Sequence, residues 1–344
     1  MMRERIDCHV HVLDGDLEHV RLLARKQKEY GYTGSNFLSV EGMNDAAQNA
    51  MAIYFKTLDP NHYAFGSMHY RFSYDFAWEL ERLHEIGFDG IKMIENKPTE
   101  RKLLGYAQDD TRYDAMYARA EQLDMPFLIH VNDPRNFWNP ETAPRWAVDA
   151  GYAYTDGSYV SFDQILGESI RMMEKHPKLR VCFAHFLFLS DDEEKLRELM
   201  ERFPGLSLDI TAGTEMYYNF TEKRERWRQF FLDYANRIMY GTDNCNRMDA
   251  HEQEIGDIIN RLQIRFLTET KQFPLWDGII HGIGLPQELL ARIMSDNFKQ
   301  FTSAMPRKIN RTAAREYLSE RLTNSAYRLT DRERGLVEAV QLCL

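Results

Sequence analysis

Short apolar runs recur along the chain, each entered through a breaker residue and followed by apolar positions at helical spacing. Eight runs predict strands, at 5–12, 33–40, 63–70, 90–94, 126–131, 179–186, 206–211 and 237–240. Between them, sets such as Phe76, Leu80, Leu83 and Ile86, or Leu196, Leu199 and Phe203, predict amphipathic helices. Ser190, Thr111 and Ser161 stand three residues before Glu193, Asp114 and Gln164, the spacing of a capping box. Asp124-Met125-Pro126, His176-Pro177 and Phe203-Pro204-Gly205 stop helices before the next strand.

Strands alternating with helices of this length imply parallel pairing through right-handed crossovers. Eight such units predict a (β/α)8 TIM barrel. An open doubly wound sheet is the alternative, weakened because no glycine-rich turn follows the first strand. Two stretches break the rhythm. Residues 132–159, rich in Trp, Pro and Asp, read as a long loop over the barrel mouth. The charged tail beyond Pro306 reads as a C-terminal helical extension, giving a barrel at 1–305 and an extension of the same domain at 306–344.

Length and charge change this picture little. The 344 residues suffice for one large α/β domain, and the net charge of −10 argues against a protein whose main ligand is nucleic acid or an anionic membrane. It leaves room for an anionic small molecule, which one local cation can serve. Four scattered cysteines do not make a disulfide framework. The N-terminus lacks the apolar region of a signal peptide, and the longest apolar run, 181–189, contains His185 and is too short to span a bilayer. A cytoplasmic location is expected.

The candidate chemistry sits at strand ends. In Ile6-Asp7-Cys8-His9-Val10-His11-Val12 the two histidines are two apart and share one strand face, where they could bind one ion. The fifth strand ends in His130, the sixth in His185 and the eighth in Gly241-Thr242-Asp243. A barrel keeps its active site at these ends, and an ionisable group closing an apolar strand is costly unless paired or metal-bound. Cys8 and Cys182, out of phase with the neighbouring histidines, are expected to face the helix layer, while Cys245 could approach the site. Asp7 could orient His9, and His84 and His176 are expected at the surface.

This combination resembles the amidohydrolase superfamily, in particular the branch that includes aminocarboxymuconate-semialdehyde decarboxylase. Gly87-Phe88-Asp89-Gly90-Ile91-Lys92 and Ile293-Met294-Ser295-Asp296-Asn297-Phe298 are also similar to that branch, and the resemblance spans about residues 5 to 300. It implies a divalent metal held by His9, His11, His130 and Asp243, with His185 as general acid/base and Asp243 sharing in the proton chemistry. Lys92 corresponds to a bridging lysine of binuclear members, but in this branch the Gly-Ile-Lys occurs without a bridge, so a mononuclear site is expected. Three imidazoles and a carboxylate suit Zn2+ first and tolerate Mn2+, Fe2+ or Co2+.

Lys92, Arg71 and Arg135 are candidate substrate-binding cations; Trp138, Tyr217 and Tyr218 could line or close the pocket. The leading expectation is a metal-dependent hydrolase acting on an amide, lactone or related small molecule. The alternatives are a non-oxidative decarboxylase of an unsaturated or aromatic acid, and a non-catalytic metal- or ligand-binding barrel. The expected partner is a small-molecule substrate, carboxylates included, with no nucleic acid or membrane. The family often forms homodimers, to which the C-terminal helices could contribute.

Overall fold

The computed structural model describes residues 4–13, 15–41, 46–69, 75–245 and 250–344, the side chains of Ala250 and Glu252 excepted. Eight parallel strands follow one another in space as in sequence: β1 (Ile6–Val10), β2 (Gly34–Leu38), β3 (His62–Gly66), β4 (Gly90–Asn96), β5 (Phe127–Val131), β6 (Val181–Phe183), β7 (Leu206–Asp209) and β8 (Ile238–Met239). The seam between last and first strand is closed by a parallel bridge of Val10 to Asn244, with Cys8 N–H donating to the Tyr240 carbonyl at 3.0 Å and His11 N–H to Asn244 at 3.0 Å. Sequential order plus closure makes this a TIM barrel and rules out the open sheet.

Except for β4, which runs two residues further, the strands are shorter than the apolar runs that predict them. β8 keeps only two residues, and residue 70, the end of the third run, lies outside the described residues. A two-stranded antiparallel hairpin, β9 (Gln272–Leu275) with β10 (Gly278–His281), adds to the expected elements.

The outer core lies between strands and helices. The expected helix positions Phe76, Leu80, Leu83 and Ile86 all pack there, on a helix (Phe76–Ile86) capped by Asp75. Of the three predicted caps, Ser161 accepts from Gln164 N–H as expected; the other two helices are capped instead by Asp110 and Asp192. A second, separate cluster fills the barrel lumen: Ile6 and Cys8 of β1, Leu38, Tyr63, Phe65, Leu128, Cys182, Ala184 and Met239. Phe298 and Phe301, from the helix Asn297–Phe301, complete it and plug the end opposite the mouth.

Cys8 and Cys182 therefore face the lumen, not the helix layer. The cause at Cys8 is a register shift in β1 between Asp7 and Val10, which lets consecutive residues Cys8 and His9 both point inward. Burial pushes both thiols up, which leaves them as packing groups. Gly241 has room for no side chain here: a Cβ would lie 2.9 Å from that of His9 and 3.0 Å from Cys8 Sγ.

Beyond the plug, the helices Arg311–Thr323 and Asp331–Cys343 return to the side of the barrel formed by the helices Gln48–Leu58 and Phe76–Ile86. Arg321, buried, pairs with Glu41 at 2.8 Å and Glu79 at 3.3 Å and also meets Tyr317. Glu333 accepts from Ala46 N–H at 2.7 Å, and Arg332 donates to the Gly15 carbonyl at 2.6 Å. The extension thus clasps the loops that follow β1 and β2. Among the described residues no helix is long and apolar enough to cross a membrane.

Candidate metal centre

His9 and His11 project from the end of β1 to one side, as their spacing predicts, with Nε2 atoms 3.0 Å apart. Each ring's Nδ1 has a partner that can only accept: Asp209 Oδ2 at 2.8 Å for His9, and the Leu38 carbonyl at 2.8 Å for His11. Both Nδ1 atoms must therefore carry the proton, and both Nε2 atoms turn lone pairs towards each other, with Lys92 Nζ 3.5 Å from that of His9. Burial, with help from the Lys92 ammonium, holds both rings well below the ordinary histidine pKa, so a shared proton does not relieve this repulsion. A cation between them does.

Asp243 supplies the third donor. Its Oδ1 is 3.4 Å from each Nε2, and the donor atoms of His9, His11 and Asp243 all lie within 4.8 Å of one another. The residue sits at φ +59°, a left-handed turn that swings the carboxylate over the seam while its N–H donates to the His9 carbonyl at 2.9 Å. Two neutral imidazoles and a carboxylate are a donor set for a divalent transition ion such as Zn2+.

His130 stands outside that cluster. Asn132, at φ +66°, curls its carbonyl back to 2.8 Å from His130 Nε2, and Asp133 Oδ1 lies 3.4 Å from the same atom. Nε2 is thus donating to protein oxygen, which makes Nδ1 the lone-pair nitrogen of this ring. Asp133 is a hub: it also takes Lys97 Nζ at 2.7 and 2.8 Å and the Tyr154 hydroxyl. Tyr154 belongs to a small core with Phe137 and Ala147 inside the long loop after β5. His130 instead faces His185, ring centres 5.0 Å apart.

His185 is reached through unusual backbone. After β6, His185, Phe186, Leu187 and Phe188 all have φ between 52° and 56°, a left-handed turn without a glycine. Each such residue costs about 1–2 kcal/mol relative to the right-handed form, and strain of this kind concentrates at functional sites. The turn is held at its first two residues. His185 N–H donates to Asp209 Oδ1 at 2.9 Å, while Phe186 is buried among Phe220, Trp227, Phe230 and Phe231. The ring stacks on Phe188, and its Nδ1 donates to the Thr211 carbonyl at 3.2 Å, leaving Nε2 as a bare acceptor. Burial keeps the ring neutral.

The other candidates divide. Lys92 is buried in the lumen with Nζ 3.5 Å from His9 Nε2, and burial lowers its pKa. Arg135 is not at the site: it is half-buried, pairs with Asp163 at 2.9 Å and Asp191 at 3.6 Å, and lies over the Phe162 ring. Arg71 lies outside the described residues. Tyr217 and Tyr218 serve the fold, donating to the carbonyls of Ile210 and Leu275, and Trp138 donates to Val160 within the loop. Asp7 accepts from Thr242 N–H and Oγ1–H and from the His9 backbone, not from its ring; burial pushes it up to about 7. His176 is buried beside Tyr117, and His84 is half-buried against Arg307. Sequence reasoning passed over Asp209 and Thr211, although Leu206-Ser207-Leu208-Asp209 is again an apolar strand ending in an ionisable group.

With the geometry in place, comparison with known proteins adds the following. No curated protein matches the chain by sequence. Solved structures share its fold at low identity. A TIM-barrel protein from Bordetella bronchiseptica is 13% identical, covering 87% of this chain and 98% of its own, at TM-score 0.55. The IDCase of Metarhizium anisopliae is 12% identical over 87% and 96%, at 0.57. The 2,6-dihydroxybenzoate decarboxylase from Rhizobium is 13% identical over 87% and 98%, at 0.52. The sequence profile described as amidohydrolase matches residues 75–297, which include His130, His185 and Asp243, while His9 and His11 precede it on the strand that closes the same barrel. The match takes in well over half of the chain, and the chain belongs to the amidohydrolase family of enzymes.

Proposed function

We propose that this protein is a metal-dependent hydrolase of a small-molecule amide, lactone or related substrate, with His9, His11 and Asp243 as the metal-binding core. The observation that carries the reading is the pair of bare Nε2 atoms held 3.0 Å apart with Asp243 within reach of both. A divalent ion bound there would act as a Lewis acid and bring the pKa of a water down to about 7.

The chain's own groups supply the rest. His185 Nε2, a neutral acceptor in the mouth, takes a proton from the attacking water and returns it to the leaving group. Lys92, beside His9, places positive charge where an oxyanion or substrate carboxylate would lie. The loop carrying Tyr154, pinned through Asp133, covers the mouth and limits water. His130, whose Nε2–H goes to the Asn132 carbonyl, would join as a fourth donor through Nδ1, its lone-pair nitrogen.

The second reading is decarboxylation at the same site. It draws support from the fold shared with 2,6-dihydroxybenzoate decarboxylase and from Lys92 as a carboxylate partner. Arg135 adds nothing to it, being spent on Asp163 and Asp191. One assay separates the two: the zinc-loaded protein is offered amides, lactones and carboxylated aromatics in 18O-water, and 18O incorporation and CO2 release are measured. Hydrolysis predicts 18O in the product without CO2. CO2 without 18O overturns it in favour of decarboxylation. In either case His185→Ala should keep its metal and lose at least about 100-fold in rate.

A further inference from the structure

The carboxylate of Asp209 is wholly buried at the end of β7, and every group around it belongs to the site. Its Oδ2 accepts from His9 Nδ1–H at 2.8 Å. Its Oδ1 accepts from His185 N–H at 2.9 Å, from Thr211 N–H at 3.2 Å and from the Thr211 hydroxyl. Thr211 in turn receives His185 Nδ1–H on its carbonyl. One side chain from β7 is therefore joined to the metal-facing imidazole of β1 and to the first residue of the left-handed turn after β6.

We propose that Asp209 is a positioning residue that sets two imidazoles at once: one oxygen fixes His9 as the Nδ1–H tautomer, and the other fastens the turn that aims His185. Both consequences follow from hydrogen-bond valence. An ionised carboxylate only accepts, so His9 must donate from Nδ1 and present Nε2 as a lone pair. A left-handed turn of four residues with side chains has no local preference for its shape, so an outside acceptor at its first N–H gives it a fixed starting direction.

The inference rests on the proposed metal centre for its use, but its geometry can be tested without metal. In wild-type apoprotein, 15N-resolved NMR of the histidine rings should place His9 in the Nδ1–H form. The Nε2–H form would overturn the proposal even if the protein binds metal. The second measurement uses Asp209→Asn, in which an NH2 group must face either His9 Nδ1 or the N–H groups of His185 and Thr211. Co2+ titration of the folded variant, followed by its visible absorption, should give an affinity 10- to 100-fold below wild type.

Thr211→Val removes one donor to Oδ1 and a 3.5 Å contact with His9 Nδ1 but keeps the shorter Asp209–His9 hydrogen bond, so it should bind Co2+ like wild type while its His185 ring resonances shift. If Asp209→Asn melts earlier yet binds Co2+ as wild type does, Asp209 is a merely structural group and the proposal fails. If wild type itself binds no Co2+, the proposed metal centre fails, and the ring tautomer alone decides the role of Asp209.

Discussion

Two buried polar clusters, one at the barrel mouth and one under the C-terminal helices, contain similar groups and are wired in opposite ways. Under the helices, the Arg321 guanidinium lies between Glu41 and Glu79, Asn49 N–H donates to Glu41 at 3.0 Å, and Arg82 reaches Glu79 from outside. The charges there answer one another, although Arg321 Nε and Nη1 find no hydrogen-bond partner among the described residues. At the mouth, the Nδ1 atoms of His9, His11 and His185 are satisfied by protein oxygens, yet the Nε2 atoms of His9 and His11 are turned towards each other. Burial and charge alone do not mark a site; leftover lone pairs aimed at a common point do.

The contrast can be broken from the largest effect down. Arg321→Met should destabilise the protein by about 3–5 kcal/mol, because two carboxylates lose their buried counter-charge. The triple variant Arg321→Met, Glu41→Leu, Glu79→Leu should recover most of that in urea denaturation, whereas no apolar replacement can restore the mouth. Recovery failing in the triple variant would mean that the clasp has a role beyond packing.

His11→Ala should do the reverse. Its apoprotein should melt near wild type, but stabilisation by Zn2+, about 2.7 kcal/mol at a hundredfold excess over the dissociation constant, should vanish in thermal scans. Equal stabilisation of variant and wild type would place the ion elsewhere.

Glu95 belongs to neither cluster and sharpens the comparison from a third side. It is buried on β4 with no ion pair among the described residues, its Oε2 accepts from Ile94 N–H at 2.8 Å, and burial pushes it up to about 8. The folded protein therefore keeps a proton that the unfolded chain releases near pH 4.5. Its contribution to stability is present below that pH and is lost as pH rises towards 8, at up to about 1.4 kcal/mol per pH unit. Glu95→Gln should flatten the fall in urea midpoint between pH 5.5 and 7.5; an unchanged slope would refute this account.

The smallest effect is expected from Arg145→Ala, which breaks an exposed i,i+4 pair with Asp149. It should leave the melting temperature unchanged.

Most of the barrel was legible because apolar runs and breakers repeat eight times, and the mouth was legible because His9, His11, His130, His185 and Asp243 each close such a run. What escaped depends on backbone that long-range contacts impose. Strict alternation sends Cys8 and His9 to opposite faces, but the shifted register of β1 brings both inward. Nothing in His185-Phe186-Leu187-Phe188 announces a left-handed turn, since no glycine marks it. The position of His130 turns on the φ of Asn132. The hairpin escaped because its strands are only four residues each and its two-residue turn, Trp276-Asp277, is not an Asn-Gly or Asp-Gly pair.

The aromatic plug of Phe298 and Phe301 gives the barrel a closed floor. Traffic through the site is consequently one-way-in and same-way-out: a product still in the mouth stands in the path of the next substrate. Steady-state inhibition by product should accordingly be competitive, and the mouth, rather than the floor, governs how fast the vessel empties.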